Sequence, residues 1–128
     1  MAKNNSVSKS LRIWFLIHFL IDYLFGFPLL FFPELTTGLL GFANVDVLTV
    51  RLVGAALLGI GGASLLMHKK SKEVYDTMLS LKLIWSGTAI IAIILSMIEN
   101  YIWAQGLFLV IFVFFFFLWA SYKWKLSK

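Results

Sequence analysis

Long apolar stretches alternate with short polar segments along the whole chain. Four of these stretches, at positions 13–32, 48–67, 78–98 and 101–122, are each about 20 residues long. A helix of that length rises about 30 Å, which matches the hydrocarbon thickness of a bilayer. Because the connections are short, consecutive helices are expected to be antiparallel neighbours. The pattern therefore predicts an all-α fold, an integral membrane four-helix bundle that forms one transmembrane domain over residues 1–128.

The composition narrows the class of protein further. The chain is 61% hydrophobic, 17% aromatic and only 13% charged, and its mean hydropathy is +0.92. A soluble domain is typically about 45–50% apolar and about 25% charged, and disordered chains have low hydrophobicity. Both of those classes are excluded. The chain has no cysteine, so a disulfide framework, a thiol redox centre and a cysteine-based metal site are excluded as well.

The positive charges predict an orientation in the membrane. Nine of the 11 Lys and Arg residues precede the first stretch, separate the second from the third, or follow the fourth; these are Lys3, Lys9, Arg12, Lys69, Lys70, Lys72, Lys123, Lys125 and Lys128. The other two connections carry acidic residues and no Lys or Arg. The positive-inside rule then places the N-terminus and the C-terminus in the cytoplasm, in a multi-pass protein of the cell membrane. The basic excess is thus a topology signal, and no nucleic-acid partner is expected.

The first stretch and the segment after it have further features. The apolar run is longer than the 7–15 residues of a signal-peptide core, and no cleavage site follows it, so we expect a retained helix. Pro33 can begin a short helix, and Gly38 or Gly41 can end one. The sequence therefore predicts a short interfacial helix over residues 33–41, lying along the membrane surface.

A candidate intramembrane polar site consists of His18, Asp22 and Arg51. His18 and Asp22 lie four residues apart and share one helical face. Because an isolated charge in hydrocarbon is costly, Asp22 is expected to pair with Arg51 of the next helix. The alternative is a protonatable carboxylate in a pathway, with Arg51 tuning its pKa and His18 relaying protons. Lys82 is expected to extend to the cytoplasmic interface. Two nearby ligands are too few for a metal site, so none is expected.

Small residues along the second stretch predict close helix packing. Ala55, Gly59 and Ala63 form a ladder at intervals of four, and Gly62 widens the same face. In lipid, such residues let helix backbones approach closely. We therefore expect this helix at the centre of the bundle, with a narrow ligand cavity as the alternative. The glycines do not form a phosphate-binding loop, because they lie inside an apolar span.

The remaining features carry little chemistry. Phe112 and the run 114–117 make the fourth stretch bulky and apolar, which lipid contact explains, although an aromatic wall for a quinone or isoprenoid ring is also compatible. No nucleophile elbow, zinc-binding helix motif or paired carboxylates are present. We predict no catalytic residue and no cofactor.

One set of residues resembles a known family. The set combines a proline at the end of the first helix (Pro28 or Pro33), Gly41 in the outer connection, and an Arg-x-x-Gly-Ala start of the second helix at Arg51. It resembles DoxX-like and related four-span prokaryotic membrane proteins over about residues 28–66. Some DoxX-type proteins are linked to quinone-dependent redox chemistry, but no active site is carried over, because no redox ligand or thiol matches. Small multidrug-resistance transporters also have four spans and an acid in the first helix, but their motif is missing here.

Three functional hypotheses follow. The first is a non-catalytic accessory or binding protein in the lipid bilayer, with a membrane-protein partner or a second copy of the chain. The second is a proton-coupled small-molecule transporter that uses Asp22. The third is a lipid- or quinone-linked membrane enzyme.

Overall fold

A computed structural model describes residues 6–128, and its regular elements within that range are all helices, with no strand. Its helices are α1 (Lys9–Phe31), α2 (Pro33–Leu39), α3 (Val47–Met67), α4 (Lys72–Glu99) and α5 (Trp103–Leu126). All of them except α2 are long and apolar enough to cross a membrane. The all-α class is therefore confirmed, whereas the orientation of the termini stays a prediction. Lys3, one of the residues that carried that prediction, lies outside the described residues.

Most of the long helices extend beyond the apolar stretches that predict them. The α1 helix starts at Lys9 because the Ser8 side chain accepts a hydrogen bond from the Leu11 backbone N–H. The α4 helix starts six residues before the predicted position, and its first turns are polar. The α5 helix continues past position 122 through a basic last turn. An apolar stretch predicts only the part of a helix that could lie in hydrocarbon, whereas a helix continues wherever its backbone groups remain paired.

The connection between α1 and α3 contains the short helix α2. Pro33 occupies the first turn of α2, where its missing N–H is not needed. The chain leaves this helix through Gly41, whose φ of 90° favours glycine. Asp46 then caps α3, because its Oδ2 accepts hydrogen bonds from the backbone N–H and the hydroxyl of Thr49. These two bonds hold the pKa of Asp46 below its ordinary value.

The described chain divides into two compact units. The first unit, Ser8–Lys70, contains α1, α2 and α3, and α4 and α5 lie in the second, within Ser71–Lys128. Each unit contains one pair of long helices in contact, α1 with α3 and α4 with α5. The single four-helix bundle stays a prediction.

Glycine allows the backbones of α1 and α3 to touch. A Cβ atom at Gly54 would lie only 2.7 Å from the backbone nitrogen of Leu30 and 2.9 Å from the carbonyl oxygen of Gly26. A Cβ atom at Gly61 would lie 2.7 Å from the Cβ of Asp22. All three distances are shorter than any ordinary carbon contact, so neither glycine position has room for a side chain.

The contact of α3 with α1 follows a row of residues beside the predicted ladder, and of the predicted residues Gly62 takes part in it. Ala55 and Gly59 are exposed, and a Cβ at Gly59 would meet nothing within 4 Å. A Cβ at Gly62 would lie 3.0 Å from the Tyr23 hydroxyl, and Ala63 is only half-buried. The contact with α1 instead uses the neighbouring row through Gly54 and Gly61. Small residues cover so much of α3 that their spacing alone does not select the contact face.

Side chains fill the contact between α4 and α5. The rings of Trp85 and Phe112 meet edge to face, with their centroids 6.0 Å apart. Near the start of α4, the Lys123 ammonium donates to the Asp76 carboxylate at 2.7 Å. This ion pair places the end of α5 beside the start of α4, so the two helices are antiparallel.

Candidate functional site

His18 and Asp22 form the polar centre of α1. The Nδ1 atom of His18 lies 3.5 Å from Oδ2 of Asp22, and the two residues are only 6% and 5% exposed. They lie on either side of residue 20, the midpoint of a helix that is about 34 Å long. The four-residue spacing places both side chains on one face, as the sequence predicts. The structure thus brings two of the three predicted site residues together.

The backbone of α3 is pressed against this pair. Gly61 lies beside the Cβ of Asp22, and one turn further along the helix Ser64 is fully buried. The Ser64 hydroxyl donates to the carbonyl oxygen of Ile60 within its own helix. Because Gly61 has no side chain, Asp22 of α1 can lie directly against the α3 backbone. The polar pair and the glycine contact are therefore parts of one feature.

Arg51 does not join this site. It lies ten residues before Gly61 on α3, which corresponds to about 15 Å along the helix. Its side chain is exposed, and no ion pair between it and Asp22 occurs among residues 6–128. The predicted interhelical pair is therefore wrong. The sequence places both residues in neighbouring spans, but the register of the glycine contact sets them at different depths.

Lys82 also differs from its prediction. The sequence predicts that its side chain extends to the cytoplasmic interface, but Lys82 is 0% exposed. Its ammonium group lies 5.0 Å from the centroid of the Trp119 ring, and Trp119 is itself buried at 1% exposure. A cation above an indole face is stabilised by the negative charge of the ring face. Lys82 is thus a buried lysine of the α4–α5 pair, packed against the Trp119 ring.

The spacing of the buried residues of α4 could have indicated that Lys82 is buried. Tyr75, Leu79, Lys82 and Ser86 follow one another at intervals of four, three and four, and all are buried. This spacing is that of one helical face. A polar residue on such a face is predicted to be buried, whatever its depth in the span.

Arg12 is a second residue whose role the sequence did not indicate. Its guanidinium group donates to the carbonyl oxygens of His68 at 2.7 Å and of Lys70 at 3.1 Å. These carbonyls follow the end of α3, where a cation is favourable. Arg12 therefore ties the start of α1 to the end of α3, in addition to its place in the predicted topology.

The chemistry available to the His18–Asp22 pair is the uptake and release of protons. An imidazole and a carboxylate within this distance can hold a proton on either group. Among residues 6–128, no group of three His, Cys, Asp or Glu side chains is arranged to hold a metal ion. The pair is therefore a candidate for proton or polar-group binding within an apolar helix.

No protein-family model, curated protein or solved structure matches this chain. The resemblance to DoxX-like proteins thus remains a prediction that rests on the residues that carry it.

Proposed function

We propose that this chain is a four-span integral protein of the cell membrane that acts by binding, as an accessory protein, and not by catalysis. His18 and Asp22 are its functional centre. The protein lies in the lipid bilayer, and its partner is another membrane protein or a second copy of the chain. The single observation that carries the proposal is the buried His18–Asp22 contact near the middle of an apolar helix.

A buried ionisable pair is costly in a membrane span. Ionisable groups in a membrane span are costly, and those that occur usually face the protein interior and take part in function. Asp22 and His18 could be replaced by apolar residues of similar size without loss of helix propensity. Retaining two ionisable groups at this depth therefore favours a role in binding.

Proton-coupled transport is the second candidate, and the same contact favours it. A His–carboxylate pair in a span can exchange protons with a substrate pathway. The two candidates differ in what passes through the membrane: a transporter moves protons with its substrate, whereas an accessory protein moves none.

Membrane insertion and topology are tested first, by cysteine labelling. The native chain has no cysteine, so a single introduced cysteine has no background. We would introduce Ala43→Cys or Asn100→Cys in the predicted outer connections, and Lys70→Cys or Ser127→Cys on the predicted inner side. A membrane-impermeant maleimide should label the first two in intact cells and the last two only after lysis. The reverse pattern would overturn the predicted orientation, and a soluble product would overturn the membrane proposal.

The role of the polar pair is tested with Asp22→Asn, and Glu99→Gln is the matched control because Glu99 is exposed. Tagged variants would be purified in mild detergent, their bound partners quantified, and each reconstituted into vesicles containing a pH-sensitive dye. The accessory proposal predicts a partner or oligomer that Asp22→Asn weakens and Glu99→Gln does not, without proton flux. Proton flux lost only in Asp22→Asn would favour the transporter instead. If Asp22→Asn changes neither binding nor flux, both proposals fail.

A further inference from the structure

The end of α5 carries a cluster of lysines and aromatic rings that the proposed function does not use. Tyr122, Lys123, Trp124 and Lys125 lie in its last turns, and Lys128 follows the helix. Trp124 is 61% exposed, although it is one of the largest apolar side chains in the protein. The exposure of so large an apolar ring beside several lysines suggests that another molecule covers it.

The three lysines do not have the same surroundings. Lys123 donates to the Asp76 carboxylate at 2.7 Å and to the Asp76 backbone oxygen at 3.3 Å, so an acid on α4 already balances its charge. The ammonium of Lys125 instead lies 5.4 Å from the Tyr122 ring centroid, and that of Lys128 lies 3.8 Å from the Trp124 ring centroid. A cation–π contact positions an ammonium group without neutralising it. Lys125 and Lys128 therefore keep their positive charge while their positions are restrained.

The position of these residues along α5 sets their depth in a bilayer. The 20 residues from Trp103 to Tyr122 rise about 30 Å, which is the full hydrocarbon thickness. Trp124, Lys125 and Lys128 then lie at the level of the headgroups. Tryptophan is favoured at this level because its ring is apolar and its N–H can form a hydrogen bond.

We propose that Tyr122, Trp124, Lys125 and Lys128, here called the basic aromatic cluster, bind the headgroup of an anionic phospholipid. The two ammonium groups donate hydrogen bonds to the phosphate, and the exposed Trp124 ring packs against the glycerol and the first acyl carbons. The occupant is a lipid because an apolar ring and two cations at headgroup depth match a molecule that is anionic at one end and apolar at the other. This inference rests on the membrane insertion in the proposed function.

The test uses the full-length protein, purified and delipidated in detergent. It would be titrated with phosphatidylglycerol, with phosphatidylcholine and with inorganic phosphate, and the bound molecules would be counted by native mass spectrometry. The variant is Lys125→Gln with Lys128→Gln. The matched control is Lys69→Gln with Lys70→Gln, which removes the same charge from two exposed lysines outside the cluster.

We expect the wild type to bind phosphatidylglycerol more tightly than phosphatidylcholine. Each lysine near an anionic headgroup contributes about fivefold in affinity, so the cluster variant should lose roughly 25-fold and the control little. Equal losses in both variants, no loss in the cluster variant, or equally tight binding of inorganic phosphate would overturn the inference. Failure of the proposed function appears separately, as protein that is absent from the membrane fraction. A protein that inserts but shows no lipid preference would refute only the inference.

Discussion

The two pairs of long helices reach close contact by opposite means. Between α1 and α3 the main chains touch, because Gly54 has no Cβ to separate it from the backbone at Leu30 and Gly26. Between α4 and α5 the contact is made by large side chains, such as Trp85 against Phe112. Helix association in lipid depends on van der Waals packing more than on the hydrophobic effect, and both arrangements supply it. The two pairs should therefore be sensitive to different substitutions. An added atom at the glycine contact should destabilise α1–α3, whereas loss of a ring should destabilise α4–α5.

The same contrast extends to the polar groups. The α1–α3 pair holds its buried ionisable residues, His18 and Asp22, on a single helix beside a glycine. The α4–α5 pair joins its helices with an ion pair between Lys123 and Asp76, which are 32% and 50% exposed. The buried pair therefore suits binding, and the exposed pair fastens two helix ends.

Removing a ring from α5 should have the largest effect on stability. Trp119→Ala deletes a buried indole together with its contact to the Lys82 ammonium. We expect the free energy of unfolding to fall by about 3 kcal/mol, the lower end of the range for such truncations. Denaturation by sodium dodecyl sulfate in mixed micelles measures the change, with exposed Trp124→Ala as the control. Equal effects of the two variants would show that burial of Trp119 contributes nothing.

Adding one methyl group to α3 should have the next largest effect. Gly54→Ala places a Cβ against two backbone atoms of α1, which cannot move aside as a flexible side chain can. We expect destabilisation of about 2 kcal/mol, within the range for overpacked cores. The same denaturation experiment measures it.

Two other glycines provide matched controls for that result. Gly59→Ala adds its methyl group where nothing lies within 4 Å. Gly87→Ala, in the α4–α5 pair, would meet only the edge of the flexible Phe116 ring at 3.3 Å. Both should be neutral or stabilising by up to about 1 kcal/mol, because alanine favours helix. If Gly54→Ala is as harmless as these two, the backbone contact between α1 and α3 is refuted.

Breaking the exposed ion pair should matter less. Lys123→Gln removes the contact with Asp76, but both side chains are partly solvated, so the expected loss is below about 1 kcal/mol. The loss should shrink further as salt is added. Unfolding curves at low and high ionic strength measure it, and Lys125→Gln controls for the lost charge. A loss independent of salt would argue against an electrostatic role.

The smallest predicted effect concerns pH. Hydrogen bonds from Thr49 lower the pKa of Asp46, so its carboxylate stabilises the start of α3 above the unfolded-state pKa of about 3.9. That contribution is lost as the pH falls through the lower, folded-state pKa. The thermal midpoint of the wild type should exceed that of Asp46→Asn at neutral pH, and the difference should narrow in acid. A difference that stays constant down to strong acid would contradict this assignment.

The sequence predicts the long helices well, because each apolar stretch has the length of a helix that could cross a bilayer. It predicts the His18–Asp22 contact for an equally local reason, the four-residue spacing on a helix. Both depend only on residues close together in the chain. The short helix α2 is likewise marked by a local signal, Pro33 at its start and Gly41 beyond its end.

Features that depend on how helices meet could not be predicted. Arg51 and Asp22 lie in adjacent spans, but their separation depends on whether Gly54 or Ala55 faces α1, a difference of one residue. Depth along the span was a poor guide to the exposure of Lys82, because the α4–α5 contact places that face inside. The register of two helices and the face that each presents to the other depend on tertiary packing. Several small residues in a row allow more than one such packing, so the sequence does not determine it.

The most direct test of the functional centre is a pair of double-mutant cycles on the free energy of unfolding in detergent. One cycle combines Asp22→Asn with His18→Gln, and the other combines Asp22→Asn with Arg51→Gln. We expect coupling of about 0.5–3 kcal/mol in the first cycle, and additivity within about 0.5 kcal/mol in the second. Coupling between Asp22 and Arg51, with additivity between Asp22 and His18, would contradict the assignment of His18 as the partner of Asp22.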